Sequence, residues 1–167
     1  MKQENAQMKV IYTICLLVRG TAKGREICLG RKKRGFLVGR LNGSGGKVLP
    51  GEDVEDCAKR ETWEEFKVEI LKMKKFGEIN FFDPGLTHQC HVFVVTKWRG
   101  EPSETEEMNP AWYAVATIPF EEMNRADKFW VTPILEGRKI KADFYYENLD
   151  DLGEVTRKNV RIVNSFE

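Results

Sequence analysis

The chain has no excess of charge of either sign: 27 Lys and Arg stand against 26 Asp and Glu, a net +1 at pH 7. A protein that grips a nucleic-acid polymer needs a basic surplus, so no such partner is expected. No apolar run approaches the roughly 20 residues that cross a bilayer, and residues 1–7 are polar rather than laid out as a secretory signal. The expectation is a cytoplasmic, monomeric protein without membrane attachment. Cysteine is sparse: Cys15, Cys28, Cys57 and Cys90 are scattered through apolar surroundings, which suits reduced core thiols better than disulfides or a zinc site. Histidine occurs twice, in His88-Gln89-Cys90-His91. In a strand those side chains alternate faces, which argues against a metal site.

With 41% hydrophobic residues, 167 residues can bury one ordinary core. A single domain over 1–167, ordered from about 9 to 163 with frayed ends at 1–7 and 164–167, is therefore expected. There is no internal repeat, low-complexity tract or long linker. Segment 9–18 reads as a β-branched strand, with a polar turn at 21–24 and a second strand at 26–30, a hairpin. Strands follow at 69–75, 77–82 and 89–97, then an acidic loop at 101–107. Segment 118–123 turns into a second long helix at 132–137, before a strand at 139–146. The sum is an α/β fold with a mixed sheet between helices.

One segment carries chemistry. Pro50-Gly51 breaks the chain and Asp53 can cap the amides that follow, so a helix is expected from about Asp53 to Phe66. At about 100° per residue, Val54, Cys57, Ala58, Thr62 and Phe66 form its apolar side. Glu61 and Glu65 fall between Val54 and Ala58 rather than opposite them, with Glu64 at the stripe's edge. A run of glutamates ordinarily faces water, but this phase turns them inward. Two carboxylates about 4 Å apart repel by on the order of 4 kcal/mol at an effective dielectric near 20. Three facing inward need protons or cations. Mg2+ takes oxygen ligands and typically joins one or two carboxylates to substrate phosphates, so the cluster points to phosphate chemistry. Upstream, 39–46 is glycine-rich with basic residues before it at 32–34, backbone that a ligand can approach closely.

Gly46, Glu52, Arg60, Glu61, Glu64 and Glu65 fall at the six fixed spacings of the Nudix signature. Two positions depart from it: Thr62 stands where an aliphatic residue is usual, and Lys67 where a glycine ends the helix. Without that glycine, the helix is expected to run on or to end by another turn. The likeness extends over about 10–160, carried by Lys32-Lys33-Arg34-Gly35-Phe36, the segment 39–48, Glu107-Met108-Asn109-Pro110-Ala111-Trp112-Tyr113, Ile118-Pro119-Phe120 and Phe129-Trp130. In these the chain resembles the 8-oxo-dGTP diphosphatase, MutT-like branch of the Nudix hydrolases. The resemblance implies a Nudix α/β/α sandwich and a reaction in which water attacks a phosphorus of a nucleoside triphosphate, giving a monophosphate and pyrophosphate. It implies Mg2+ as cofactor, with Mn2+ as a substitute, and a small-molecule nucleotide as partner.

The resemblance also assigns roles. Glu61, Glu64 and Glu65 match the metal-binding and base-providing carboxylates, with Glu61 the candidate general base. Glu107 matches a further ligand from a loop, the Gly45 carbonyl completes the metal shell, and Glu52 with Arg60 braces the helix. Thr13, Phe36, Asn42 and Phe81 match residues that line or reach the purine pocket, Lys32 lies at its mouth, and Gly45 and Gly46 approach the substrate. Members of the branch also carry a tryptophan that stacks on the base and two adjacent aspartates that read its edge. Here the tryptophan position is Asn124 and the first aspartate Ala126, while Asp127 remains. Losing a stacking aromatic costs roughly 1–3 kcal/mol of base affinity.

The leading expectation is therefore a Mg2+-dependent pyrophosphohydrolase of oxidised purine deoxynucleotides, foremost 8-oxo-dGTP. Unmodified or methylated purine dNTPs, or ADP-ribose, form a second reading within the family. A nucleotide-binding sensor without turnover is a third, of another class, against which the intact glutamates argue.

Overall fold

A computed structural model of the chain describes residues 8–147 and 154–167; the expectation of a frayed segment at 1–7 lies outside them. β1 (Met8–Thr21) and β2 (Gly24–Lys32) form the expected hairpin, with Thr21 opposite Gly24. β3 (Leu41–Asn42), α1 (Val54–Phe66), β4 (Glu69–Asp83), β5 (Leu86–Arg99), β6 (Met108–Ala114), α2 (Val131–Leu135), β7 (Lys139–Tyr146) and β8 (Val155–Val163) follow. The strands make one mixed sheet in the order β3-β2-β1-β5-β4-β7-β8, with β6 on the far edge of β2. β1 runs parallel to β5 and β4 parallel to β7, while the other pairs are antiparallel.

Both faces of the sheet are covered, as alternating side chains require. Cys15, Leu17, Phe93 and Val95 pack with Ala58 and Phe66 of α1 on one face. On the other, Ile14, Leu16, Ile79 and Val92 meet Trp130, Val131 and Ile134, from a stretch of short 3-10 turns that ends in α2. This is the expected α/β/α layering. The four cysteines are buried and free. No helix among the described residues is long and apolar enough to cross a membrane.

Three expectations need correction, and one strand went unforeseen. The second helix is not long: α2 has five residues, because Pro133 and Gly137 leave room for little more than one turn. The strands at 69–75 and 77–82 are one strand, β4, with a bulge between Lys75 and Gly77 that absorbs Phe76. β8 was not anticipated, for its residues are almost all exposed and many are charged, as befits an edge strand. Finally, α1 neither runs on nor finds another turn. Lys67 itself takes the left-handed conformation, φ 58° and ψ 34°, and its N–H bonds the Trp63 carbonyl.

Near its middle the sheet is wedged open. β2 pairs with β1 as far as Cys28 and then with β3, Gly30 opposite Asn42. β1 instead continues against the segment after β3: the Thr13 N–H donates to the Gly46 carbonyl at 2.9 Å and Cys15 to Ser44 at 2.6 Å. The glycine-rich segment thus lies between two diverging strands, directly beneath α1.

Candidate active site

α1 begins where Asp53 accepts the Glu55 N–H at 2.8 Å and buries Cys57, Ala58, Thr62, Glu65 and Phe66. The inward phase holds for Glu65, which is 5% exposed, and half-buries Glu61. Thr62, at the aliphatic position, is fully buried and shares a 2.8 Å hydrogen bond with the Ser44 hydroxyl in the wedge. The departure from the signature is thereby matched by a polar partner on the segment the helix covers.

The glutamates do not share one environment. Glu65 Oε1 accepts the Gly45 N–H at 2.8 Å. Burial pushes its carboxyl up to about 8, the negative charges of Glu61 and Glu107 push the same way, and the Gly45 N–H and Lys32 oppose them. Glu61 is raised too, by burial and by Glu64 and Glu107, although Arg60 pulls it down with a 2.7 Å bond. Glu64 leans outward, 3.3 Å from Arg60. Arg60 grips Glu52 with two bonds of 2.7 and 2.9 Å, and this brace, with the Leu49 N–H, brings Glu52 down to about 2.

Glu107, expected to reach in from its loop, meets Arg34 at 2.8 Å. Lys33 holds the same loop through Glu104 and the Thr105 carbonyl, both at 2.9 Å. Among the described residues no three acidic, histidine or cysteine side chains converge as a ligand set. The donor chemistry nonetheless fits a hard divalent cation. The charges of Glu64 and Glu107 act on Glu61, and those of Glu61 and Glu107 act on Glu65, so negative charge gathers at these two side chains, and an added Cβ on Gly46 would strike the Glu61 carboxyl, so this glycine keeps open the space beside it. At Gly45, φ 147°, a Cβ would strike the Thr13 carbonyl. Gly45 is thus required by its φ and by this close backbone approach together, whereas at Gly46 the clash is with the end of the Glu61 side chain, which would have to move aside.

A cavity of about 460 Å³ opens beside these glycines. Thr13, Lys32, Phe36, Asn42, Gly45, Gly46, Phe81, Asn124 and Asp127, expected from the sequence to meet substrate, all line it, as does Glu65. Glu61, Glu64, Arg60, Glu52 and Glu107 lie outside its wall. Burial lowers Lys32 from the usual lysine range, partly offset by Glu65 and Glu107.

Sequence reasoning missed Tyr12, Asp83, His88 and Cys90 on the same wall. Tyr12 lies opposite Cys90 and Phe81 opposite His88 across the strands, and Tyr12 stacks on His88 at 5.6 Å. The alternation expected of 88–91 does occur: His88 and Cys90 face the cavity, while His91 does not line it. Strand register alone brings these residues together, and no local signal reports it.

The floor is polar. Asn124 Oδ1 accepts the Tyr146 hydroxyl at 2.9 Å and the Ala126 N–H at 3.0 Å. Asp127, 3% exposed, accepts the Trp130 indole N–H at 3.2 Å. Burial pushes its carboxyl up to about 7, against that bond and the Asn124 backbone.

A family model for the NUDIX domain matches residues 8–132. The oxidized purine nucleoside triphosphate hydrolase of Mus musculus is 35% identical over 158 residues, spanning 93% of this chain and 97% of its own. That of Danio rerio is 36% identical over 146 residues, 86% of this chain and 91% of its own. Among solved structures, a MutT protein from Bacillus halodurans superposes with a TM-score of 0.73 at 22% identity, covering 90% of this chain and 97% of that one.

Proposed function

This chain belongs to the Nudix hydrolase family, and from that premise we propose that it is a divalent-metal-dependent pyrophosphohydrolase of oxidised purine deoxynucleoside triphosphates, 8-oxo-dGTP foremost. The observation that carries the reading is the shared cavity: Gly46 and Glu65 of the signature, with Gly45 beside them, line the same 460 Å³ as Phe36, Phe81, Asn124 and Asp127. A nucleotide with its base in such a cleft has its phosphates at the α1 carboxylates. The identity of the two vertebrate relatives across nearly the whole chain supports the substrate class.

Glu61, Glu64, Glu65, Glu107 and the Gly45 carbonyl are the oxygens that would hold Mg2+, or Mn2+ in its place. A cation held there would neutralise phosphate charge and lower the pKa of the attacking water. The chain's own groups do the rest. Glu61, kept half-buried against Arg60 and raised by that burial, is the base candidate. Arg60, bonded to Glu52 and to the Lys47 carbonyl, ties α1 to the segment that leads into it, so that the carboxylates keep their places as charge develops on the phosphate. Lys32, at the cavity wall, supplies a cation for a phosphate oxygen. Phe36 and Phe81 provide apolar surface for the base. The protein would act as a monomeric, single-domain cytoplasmic enzyme on free nucleotides; four buried free thiols are in keeping with a reducing compartment.

A substrate panel with Mg2+ tests this: 8-oxo-dGTP, 2-hydroxy-dATP, the ordinary dNTPs and ADP-ribose, scoring pyrophosphate against phosphate release. The highest kcat/KM is expected for 8-oxo-dGTP, with pyrophosphate as product. Preference for ADP-ribose or an unmodified dNTP would move the enzyme within its family, and tight binding without release of either product would make it a sensor.

A further inference from the structure

Asn124 lies at the cavity wall with its amide orientation fixed by its neighbours. The Ala126 backbone N–H can only donate, so the Asn124 atom 3.0 Å away must be the oxygen. The Tyr146 hydroxyl donates to the same oxygen at 2.9 Å. Both lone pairs of Oδ1 are thus engaged, and Nδ2, which has no protein partner among the described residues, is left with two N–H donors beside the cavity.

Tyr146 is itself fixed. It is 6% exposed, its ring lies 6.3 Å from Phe81, and its β7 position is set by pairing with Val155 of β8. Rotating the amide would set Nδ2 against the Ala126 N–H, two donors face to face. The side chain therefore offers a ligand donors and no acceptor.

We propose that Asn124 is a specificity-determining residue that presents a donor-only edge to the base and selects 6-oxopurines over 6-aminopurines. This rests on the nucleotide reading of the cavity and narrows it, from oxidised purines in general to those of the guanine type. A carbonyl at position 6 accepts from Nδ2. An amino group there points donor at donor, and the cost of two unpaired polar groups is what gives a hydrogen-bonding site its discrimination. Asp127, beside it on the floor, is pushed by burial to about 7, where a carboxyl either gives or takes a proton near neutral pH. It is also 3% exposed and already accepts the Trp130 indole N–H, so Asn124 is the freer polar group toward a base.

The test compares two bases that differ at the 6-position, guanine and 2,6-diaminopurine. Binding of the two deoxynucleoside monophosphates is measured by calorimetry, and turnover of the two triphosphates is measured with Mg2+. Wild type is expected to favour guanine by about tenfold or more in both. Asn124→Leu, which has no donor, should bring the ratio to within about threefold of unity, and Asn124→Asp should do so or invert it. Each variant is compared with itself on two bases, so a reduced active fraction cancels. Equal binding of the two bases by wild type, or an unchanged ratio in both variants, overturns the assignment. The binding ratio without pyrophosphate release keeps the assignment and sinks the hydrolase reading; release without the ratio does the reverse.

Discussion

Gly45 donates its backbone N–H to Glu65 Oε1 at 2.8 Å, across 20 residues of sequence. The bond joins the wedge between β1 and β2 to the buried side of α1. It also partly offsets the cost of burying a carboxylate among like charges, which on balance still carries Glu65 up to about 8. The helix and the glycine segment thus form one unit in which neither half is complete alone.

Glu64 is the carboxylate of this unit least involved in the fold, since its side chain is 45% exposed and touches Arg60 at 3.3 Å. Glu64→Gln should leave the urea midpoint almost unchanged, within about 0.5 kcal/mol, and lower kcat/KM by on the order of a hundredfold or more. Near-normal turnover would remove Glu64 from the metal site.

The Thr62 hydroxyl and that of Ser44 satisfy one another in a fully buried place. Restoring the aliphatic residue with Thr62→Val should destabilise the protein by about 1–3 kcal/mol, because Ser44 is left unpaired. Adding Ser44→Ala should recover most of that loss. A double-mutant cycle in urea measures the coupling, and purely additive losses would show that the pair is not coupled.

Lys67 ends α1 with φ 58°, a conformation that costs an L-residue about 1 kcal/mol and glycine nothing. Lys67→Gly should raise stability by about 0.5–1 kcal/mol, despite losing the contact of its ammonium with the Trp63 ring at 5.4 Å. A lowered melting temperature would mean that this contact outweighs the backbone strain.

Asp127 couples stability to pH. Its carboxyl rises from 3.8 to about 7 on folding, so the native state binds more protons than the unfolded chain between those values. Its contribution is fully present below about pH 4 and is lost as pH rises through about 7, at up to on the order of 1 kcal/mol per pH unit. Asp127→Asn removes the ionisation and keeps an oxygen for the Trp130 N–H. Urea midpoints at pH 5, 6, 7 and 8 should show wild type losing stability relative to the variant up to about pH 7, then running parallel to it. Parallel curves throughout would mean that folding does not raise the Asp127 carboxyl.

The helix was legible because its information is local. Asp53, the inward phase of Glu65 and the run ending at Phe66 lie within four turns, where 100° per residue places every side chain. The hairpin and β7 were legible for the same reason, as alternation bounded by turn residues. β8 was not, because an exposed edge strand shows no apolar alternation, and neither was the shortness of α2, whose Val131, Ile134 and Leu135 are spaced as in any longer helix.

In the site, the spacing from Gly46 through Glu65 carried the chemistry, and the resemblance carried the residues of the base pocket. Tyr12, Asp83 and His88 remained invisible, since their meeting depends on the β1-β5-β4 register. By itself the sequence determined which carboxylates turn inward on one helix and that six positions keep a phosphate-chemistry spacing, because these are short-range relations along the chain. Only the tertiary structure decided that Glu65 is held by Gly45, that Thr62 is answered by Ser44, and that Asn124 is oriented by Tyr146, 22 residues away. Each of those depends on where one element packs against another, and a hydrogen bond of 2.8–2.9 Å exists only once that packing is fixed.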